Sequence, residues 1–157
     1  MALPSSGILK LSDIGAAQCT PISTNLSLHS MAVNSGFGTT PDSVSEFYGY
    51  SCAIAYVEVS NETTDRSITN ILIDGFAVSG GTFPIGPGDG GSFTTTQTGS
   101  GKTIVVSYSG TGFAYCQVID SDGTDCANAT GAGRTFTGQL ITNNDIIFVQ
   151  MGDGACP

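Results

Sequence analysis

Positive charge is almost missing from this chain. Of 157 residues only 4 are Lys or Arg, against 13 Asp or Glu, and the net charge is −9. A surface so poor in cations has no basic patch with which to neutralise phosphates, which excludes nucleic-acid or anionic-membrane binding by that route. Charged residues of both signs make up only 11%. The polar surface must therefore be built from Ser, Thr, Asn and Gly, as in many turn-rich β-proteins that work outside cells or on particle surfaces. Tryptophan is absent. No run of about 18 apolar residues occurs, so no segment reads as a transmembrane helix. The N-terminus, Met1 to Gly7, has neither the basic nor the apolar stretch of a secretory signal. The expectation is release by lysis, by a route without such a signal, or after a signal has been removed. His29 is the single histidine. It has no partnered Ser or Cys nucleophile, and no two carboxylates can be paired across an assumed fold. Acyl-transfer and glycosidase chemistry thus lack their working groups, and the chain is expected not to be an enzyme.

The cysteines Cys19, Cys52, Cys116, Cys126 and Cys156 include no C-x-x-C pair, which argues against a zinc cluster. Their odd number leaves at least one thiol free or paired between chains. Cys116 and Cys126 flank "IDSDGTD", Ile119 to Asp125. If this turn sets the two opposite each other, a Cys116–Cys126 disulfide results; the condition is the strand register.

"GSGKT", Gly99 to Thr103, imitates half of a nucleotide-binding P-loop. The motif needs a glycine five positions before Gly101, and Thr96 stands there. It also needs a helix next in the chain, with its N-terminus facing the phosphates. Instead the chain continues with Ile104-Val105-Val106-Ser107-Tyr108, which is strand chemistry. The segment is read as a turn, Gly99-Ser100-Gly101, joining strands 92–97 and 102–109 in a hairpin, with Lys102 a solvated charge at a strand end.

What is present in quantity is the strand signal. From residue 51 on, alternating apolar stretches recur every 10–15 residues or so: 53–60, 67–78, 92–97, 102–109, 112–120, 135–142 and 145–151. This rhythm predicts an all-β fold, an antiparallel β-sandwich of immunoglobulin-like size over residues 51–157. Ile54, Tyr56, Ile71, Ile73, Ile104, Val106, Cys116, Val118, Ile147 and Val149 are its expected core. The loops 80–91 and 120–134 are candidate ligand-contacting loops, polar, acidic and rich in Gly. Within the second, Asp120, Asp122 and Asp125 are candidate calcium ligands, since clustered loop carboxylates suit that ion. The competing reading is a hairpin turning at Asp122-Gly123. Calcium apart, no cofactor is expected. Asn25, Asn61 and Asn128 head N-glycosylation triplets, which carry no weight in so Asn- and Thr-rich a chain.

Residues 1–50 read differently. "GILKLSDIGAA", Gly7 to Ala17, predicts a strand and then a short helix capped by Ser12, with Asp13 in its first turn. "DSVSEFYGY", Asp42 to Tyr50, predicts a helical turn placing Val44, Phe47 and Tyr48 on one face. So few apolar anchors bury little alone. The segments "ALPSSGILKLSDIG", "ISTNLSLHSMA" and "TTPDSVSEFYGY" together resemble the N-terminal module of tailed-bacteriophage virion structural proteins, the tail-fibre, minor-tail and other appendage proteins. The resemblance spans residues 2–50; Leu9-Lys10 departs from the usual small polar residue after Ile8, and Cys19 is not part of the pattern. It implies a particle-docking or oligomerisation module, a trimer being one option, in which Ile8, Leu11, Asp13, Ile14, Val44, Glu46, Phe47, Tyr48 and Tyr50 form the interface. The sandwich would then project, contacting other virion proteins or a host-surface glycan. The alternative is a secreted bacterial cell-surface adhesin or filament subunit.

Overall fold

The structure, a computed structural model, describes residues 3–17, 27–34, 43–48 and 52–157. The chain divides into two compact units, Met1–Ala53 and Ile54–Pro157.

In the first unit, helix α1 spans Leu11–Ala17 and helix α2 spans Leu28–Asn34, with a single 3-10 turn at Val44–Phe47. Among the described residues no strand precedes α1. Its N-terminus is closed by Asp13, whose carboxylate accepts the Lys10 N–H at 3.3 Å. The cap position is therefore Lys10, and the expected cap Ser12 lies inside the first turn. Leu3, Ile14, Ala17, Met31, Ala32 and Phe47 form a small buried cluster. Ile14 and Ala17 are one helical turn apart and so share the face that meets α2.

The second unit is a two-sheet β-sandwich. Its strands are β1 (Ala55–Glu62), β2 (Arg66–Ile73), β3 (Phe76–Ala77), β4 (Gly90–Thr95), β5 (Gly99–Gly110), β6 (Ala114–Asp120), β7 (Gly123–Asn128), β8 (Gly133–Ile141) and β9 (Ile146–Asp153). One sheet has the order β4-β1-β9-β6-β7 and the other β3-β2-β5-β8. All pairings are antiparallel except β1 with β9, which lie parallel at the centre of the larger sheet. Between the sheets sits one apolar core, with Ile71, Ile73, Ile104, Val106, Cys116, Val118, Ile147 and Val149 among its members. β2 keeps Ile68 and Ile71 in this core, three residues apart, because a bulge between Ile68 and Asn70 inserts one residue and restores the alternation.

β1 has the opposite parity to that expected. Ala55, Val57 and Val59 face the core, whereas Ile54 and Tyr56 are exposed. "AIAYVEVS" carries apolar residues on both faces, and a period of two cannot choose between them. The hairpin expected across Gly99-Ser100-Gly101 does not form either. β4 pairs with β1 and β5 pairs with β2 and β8, so the chain crosses between sheets at 96–98. Gly99 and Gly101, both at positive φ, lie inside β5, where its pairing with β8 shifts register.

The registers give the sandwich two distinct ends. The chain enters β1 at the end that also carries the turns after β2 and β6. At the far end lie the β1–β2 turn, the β5–β6 turn and the chain beyond Asp153. Asn61 knits the far end together. Its side-chain amide donates to the carbonyls of Arg66 and Ile85, and its Oδ1 accepts from the hydroxyl of Thr63.

Candidate functional site

The acidic stretch folds as a tight hairpin. Asp120 and Gly123 are the last β6–β7 pair, so the two-residue turn is Ser121-Asp122, one residue earlier than expected. One oxygen of Asp120 accepts the N–H groups of Asp122 and Gly123, at 2.9 and 3.2 Å. Its other oxygen accepts Leu140 N–H of β8 at 2.9 Å. Asp125 accepts from the Gln139 amide. These two carboxylates thus tie the edge of one sheet to the edge of the other, around a small hollow of about 150 Å³ that Asp122 also borders. Among the described residues no three His, Cys, Asp or Glu gather as a metal-ligating group. The hydrogen bonds to Asp120 and Asp125 hold the hairpin in place.

Asp145 anchors the loop before β9. Burial pushes its carboxyl up, but hydrogen bonds from Ser121 and from the N–H groups of Thr142 and Ile146 outweigh this and hold it below the usual carboxylate range. On the other sheet, Lys102 Nζ lies 2.8 Å from Asp74 Oδ2. Lys102 is therefore paired, not merely solvated, and its hydrogen bond lowers the Asp74 pKa, with Thr103 N–H adding to the effect. This pairing, and the strand on which Lys102 sits, remove the resemblance to a phosphate-binding lysine.

The expected Cys116–Cys126 disulfide is absent. Cys126 bonds to Cys156, with Cα atoms 5.9 Å apart. The register explains it. Gln117, not Cys116, stands opposite Cys126, so Cys126 lies on the outer face while Cys116 points into the core. Directly opposed residues share a face and neighbours along a strand do not. Cys116 is a free, buried thiol whose pKa is pushed up to about 12 by burial. Cys52 is also disulfide-bonded.

The loops proposed for ligand contact do not gather at one end. Residues 80–91 run along a flank, bridged to β4 through Ser79↔Thr94 and to β2 through Ile68↔Ile85. Residues 120–134 stretch from the turn at one end to the β7–β8 connection at the other. In the first unit, Ile14 and Phe47 are fully buried in that unit's own core and Val44 is packed against it. Ile8, Leu11 and Tyr48 are exposed, Ile8 at 89%. Asp13 caps α1, and the Tyr48 hydroxyl donates to the Gly7 carbonyl. Tyr50 and the Glu46 side chain lie outside the described residues.

No family model and no curated protein matches the chain. Among solved structures, a point mutant of the major pilin from Streptococcus pyogenes is similar at 14% identity and a TM-score of 0.36, over 64% of this chain and 48% of that one. The match thus spans about half of the pilin chain, and the likeness is too low to assign a shared fold.

The residues that sequence reasoning misses lie on the outer face of the larger sheet. Tyr56, Ile146 and Phe148 are each close to half exposed. Their signal is present in β1 and β9, where apolar residues occupy both parities.

Proposed function

We propose that this chain is a non-enzymatic structural protein of a tailed-phage virion, present in many copies on tail, neck or head. Residues 2–50 would dock it, and the sandwich would project from the particle. The observation that carries this reading is the polarity of the sandwich: the chain enters at one end, and the β1–β2 and β5–β6 turns, with Phe113 65% exposed, sit at the other. A module of this kind would be held at the end where the chain enters and would present the other. The resemblance of residues 2–50 to virion proteins supports it, as do the exposed apolar side chains of Ile8, Leu11 and Tyr48 in the first unit, since such residues make good interface anchors. Partners would be other virion proteins and copies of the same chain, with a host-surface glycan as a ligand whose weak single sites gain from many copies.

The Cys126–Cys156 disulfide fits a protein that matures outside a reducing cytosol. It suits a secreted adhesin or filament subunit equally well, so that second reading is kept. Immunogold labelling of an infected lysate with an antibody to the sandwich separates them. Gold at a fixed place on virions is the expected result. Gold on cell surfaces or filaments, with bare virions, would sink the phage reading and favour the other.

A further inference from the structure

The outer face of a sandwich sheet is normally polar, and the smaller sheet is mostly so, with Ser67, Asn70, Thr103, Ser107 and Thr135 on its outside around the pair Leu72 and Val105. The larger sheet breaks the rule. Tyr56 stands beside Ile146 and Ile119 beside Phe148, and Phe148 comes two residues after Ile146 along β9, so the four make one contiguous apolar block. Tyr56, Ile146 and Phe148 are 45%, 49% and 47% exposed. Next to Phe148 runs a groove of about 320 Å³, walled by Glu58, Ser60, Glu62, Ile119 and Gln150. Glu58 and Glu62 are each steadied by one serine hydroxyl, from Ser92 at 2.7 Å and from Ser60 at 3.3 Å. Among the described residues neither carboxylate has a further hydrogen-bond donor.

Within the sandwich no cation serves this face. Of the basic residues in the sandwich, Arg66 is buried, Lys102 pairs with Asp74, and Arg134 bonds to Asn128 and Thr130. Charge complementarity therefore selects the occupant. A second copy docked through the same face would set these carboxylates against their own copies, between chains that each carry −9.

We propose that this face docks an extended segment of another protein in which apolar side chains alternate with Arg or Lys. The basic residue at Glu58 would lie level with Phe148 and Ile119, and the apolar side chain two residues from it would cover Tyr56 and Ile146. Two basic residues four apart would meet Glu58 and Glu62, because four residues of extended chain span about 13 Å on either strand. An arginine there gains a charge-assisted bond to Glu58 and can stack on the Phe148 ring. This inference does not depend on the particle to which the chain belongs.

The test uses the full chain, isotope-labelled, titrated in NMR with a nonapeptide carrying Ile at its first, fifth and ninth positions, Arg at its third and seventh, and Thr between. A second peptide has Glu in place of Arg. The Arg peptide is expected to shift signals of Ile119, Ile146 and Phe148, and to weaken with added salt. Phe148→Ser and Glu58→Gln should each weaken it by about tenfold. Both positions are on the outer surface, so unchanged thermal unfolding verifies that each variant is folded. Any of four results overturns the proposal: equal binding of the Glu peptide, shifts centred on Asp120–Asp125, concentration-dependent shifts of the chain alone at these residues, or shifts there from a neutral oligosaccharide with none from the Arg peptide.

Discussion

Asn61 heads a glycosylation triplet, yet its side chain is sealed inside the sandwich and fully hydrogen-bonded. Substituting Leu keeps the volume and removes three buried hydrogen bonds, to the carbonyls of Arg66 and Ile85 and from the Thr63 hydroxyl, while leaving those carbonyls the Thr63 hydroxyl and the Ile68 N–H as donors. A buried hydrogen bond contributes about 1 kcal/mol net, so Asn61→Leu is expected to lower unfolding free energy by about 3 kcal/mol in a urea titration. A loss below 0.5 kcal/mol or so would mean that water replaces the amide. Cys116 gives a second residue-scale expectation. Its thiol is pushed up to about 12, so almost none is thiolate at neutral pH, and the thiolate is the reactive form. A thiol reagent should leave the native chain unlabelled at Cys116 and label it after unfolding in denaturant without reductant. Rapid native labelling at that site would contradict its burial.

At the scale of elements, β7 is a short edge strand with every side chain at least partly exposed, held by its turn and by the Cys126–Cys156 bridge. That disulfide closes a loop with a sequence separation of 30. Cys156→Ser is expected to lower stability by about 3 kcal/mol, with faster amide exchange along β7 and the C-terminal residues; exchange unchanged there would show that the bridge restrains neither. β7 also marks what the sequence can tell. Its six residues, "GTDCAN", carry no alternation, because an exposed edge strand needs none, and so they read as loop. A strand apolar mainly on one parity, such as β5 with Ile104, Val106 and Tyr108, is legible because only one face can go inward. The parity of β1 is not legible, because Tyr56 competes with Val57 for the inside. The docking face is hidden for the same reason: an apolar residue pointing outward looks in sequence like one pointing in. Sheet partners are not legible either, since nothing in "TQTGSGK" distinguishes a hairpin from a crossing between sheets.

At the scale of the whole molecule, acid should be the weak direction. Asp74 and Asp145 both titrate below the usual carboxylate value of 3.8. Folding favours their ionised forms, so the stability they contribute is complete above about pH 4 and drains away as pH falls through their folded values. Thermal unfolding measured from pH 7 to pH 2 should therefore show a decline beginning near pH 4. In Asp145→Asn the plateau should sit lower and the decline be shallower; a parallel curve would assign the acid sensitivity to other groups. The central strands bear on force as well as on equilibrium. β1 and β9 run parallel at the middle of the sheet, paired from Tyr56↔Ile146 to Glu62↔Gly152, and the chain enters the first at one end and leaves the second at the other. Tension between those two points pulls the strands past each other lengthwise, so every bond of the ladder bears load together and none can be peeled first. The same sandwich drawn sideways through Gly123 would open one bond at a time. Along its own axis, then, the module should resist extension far more than it does across it.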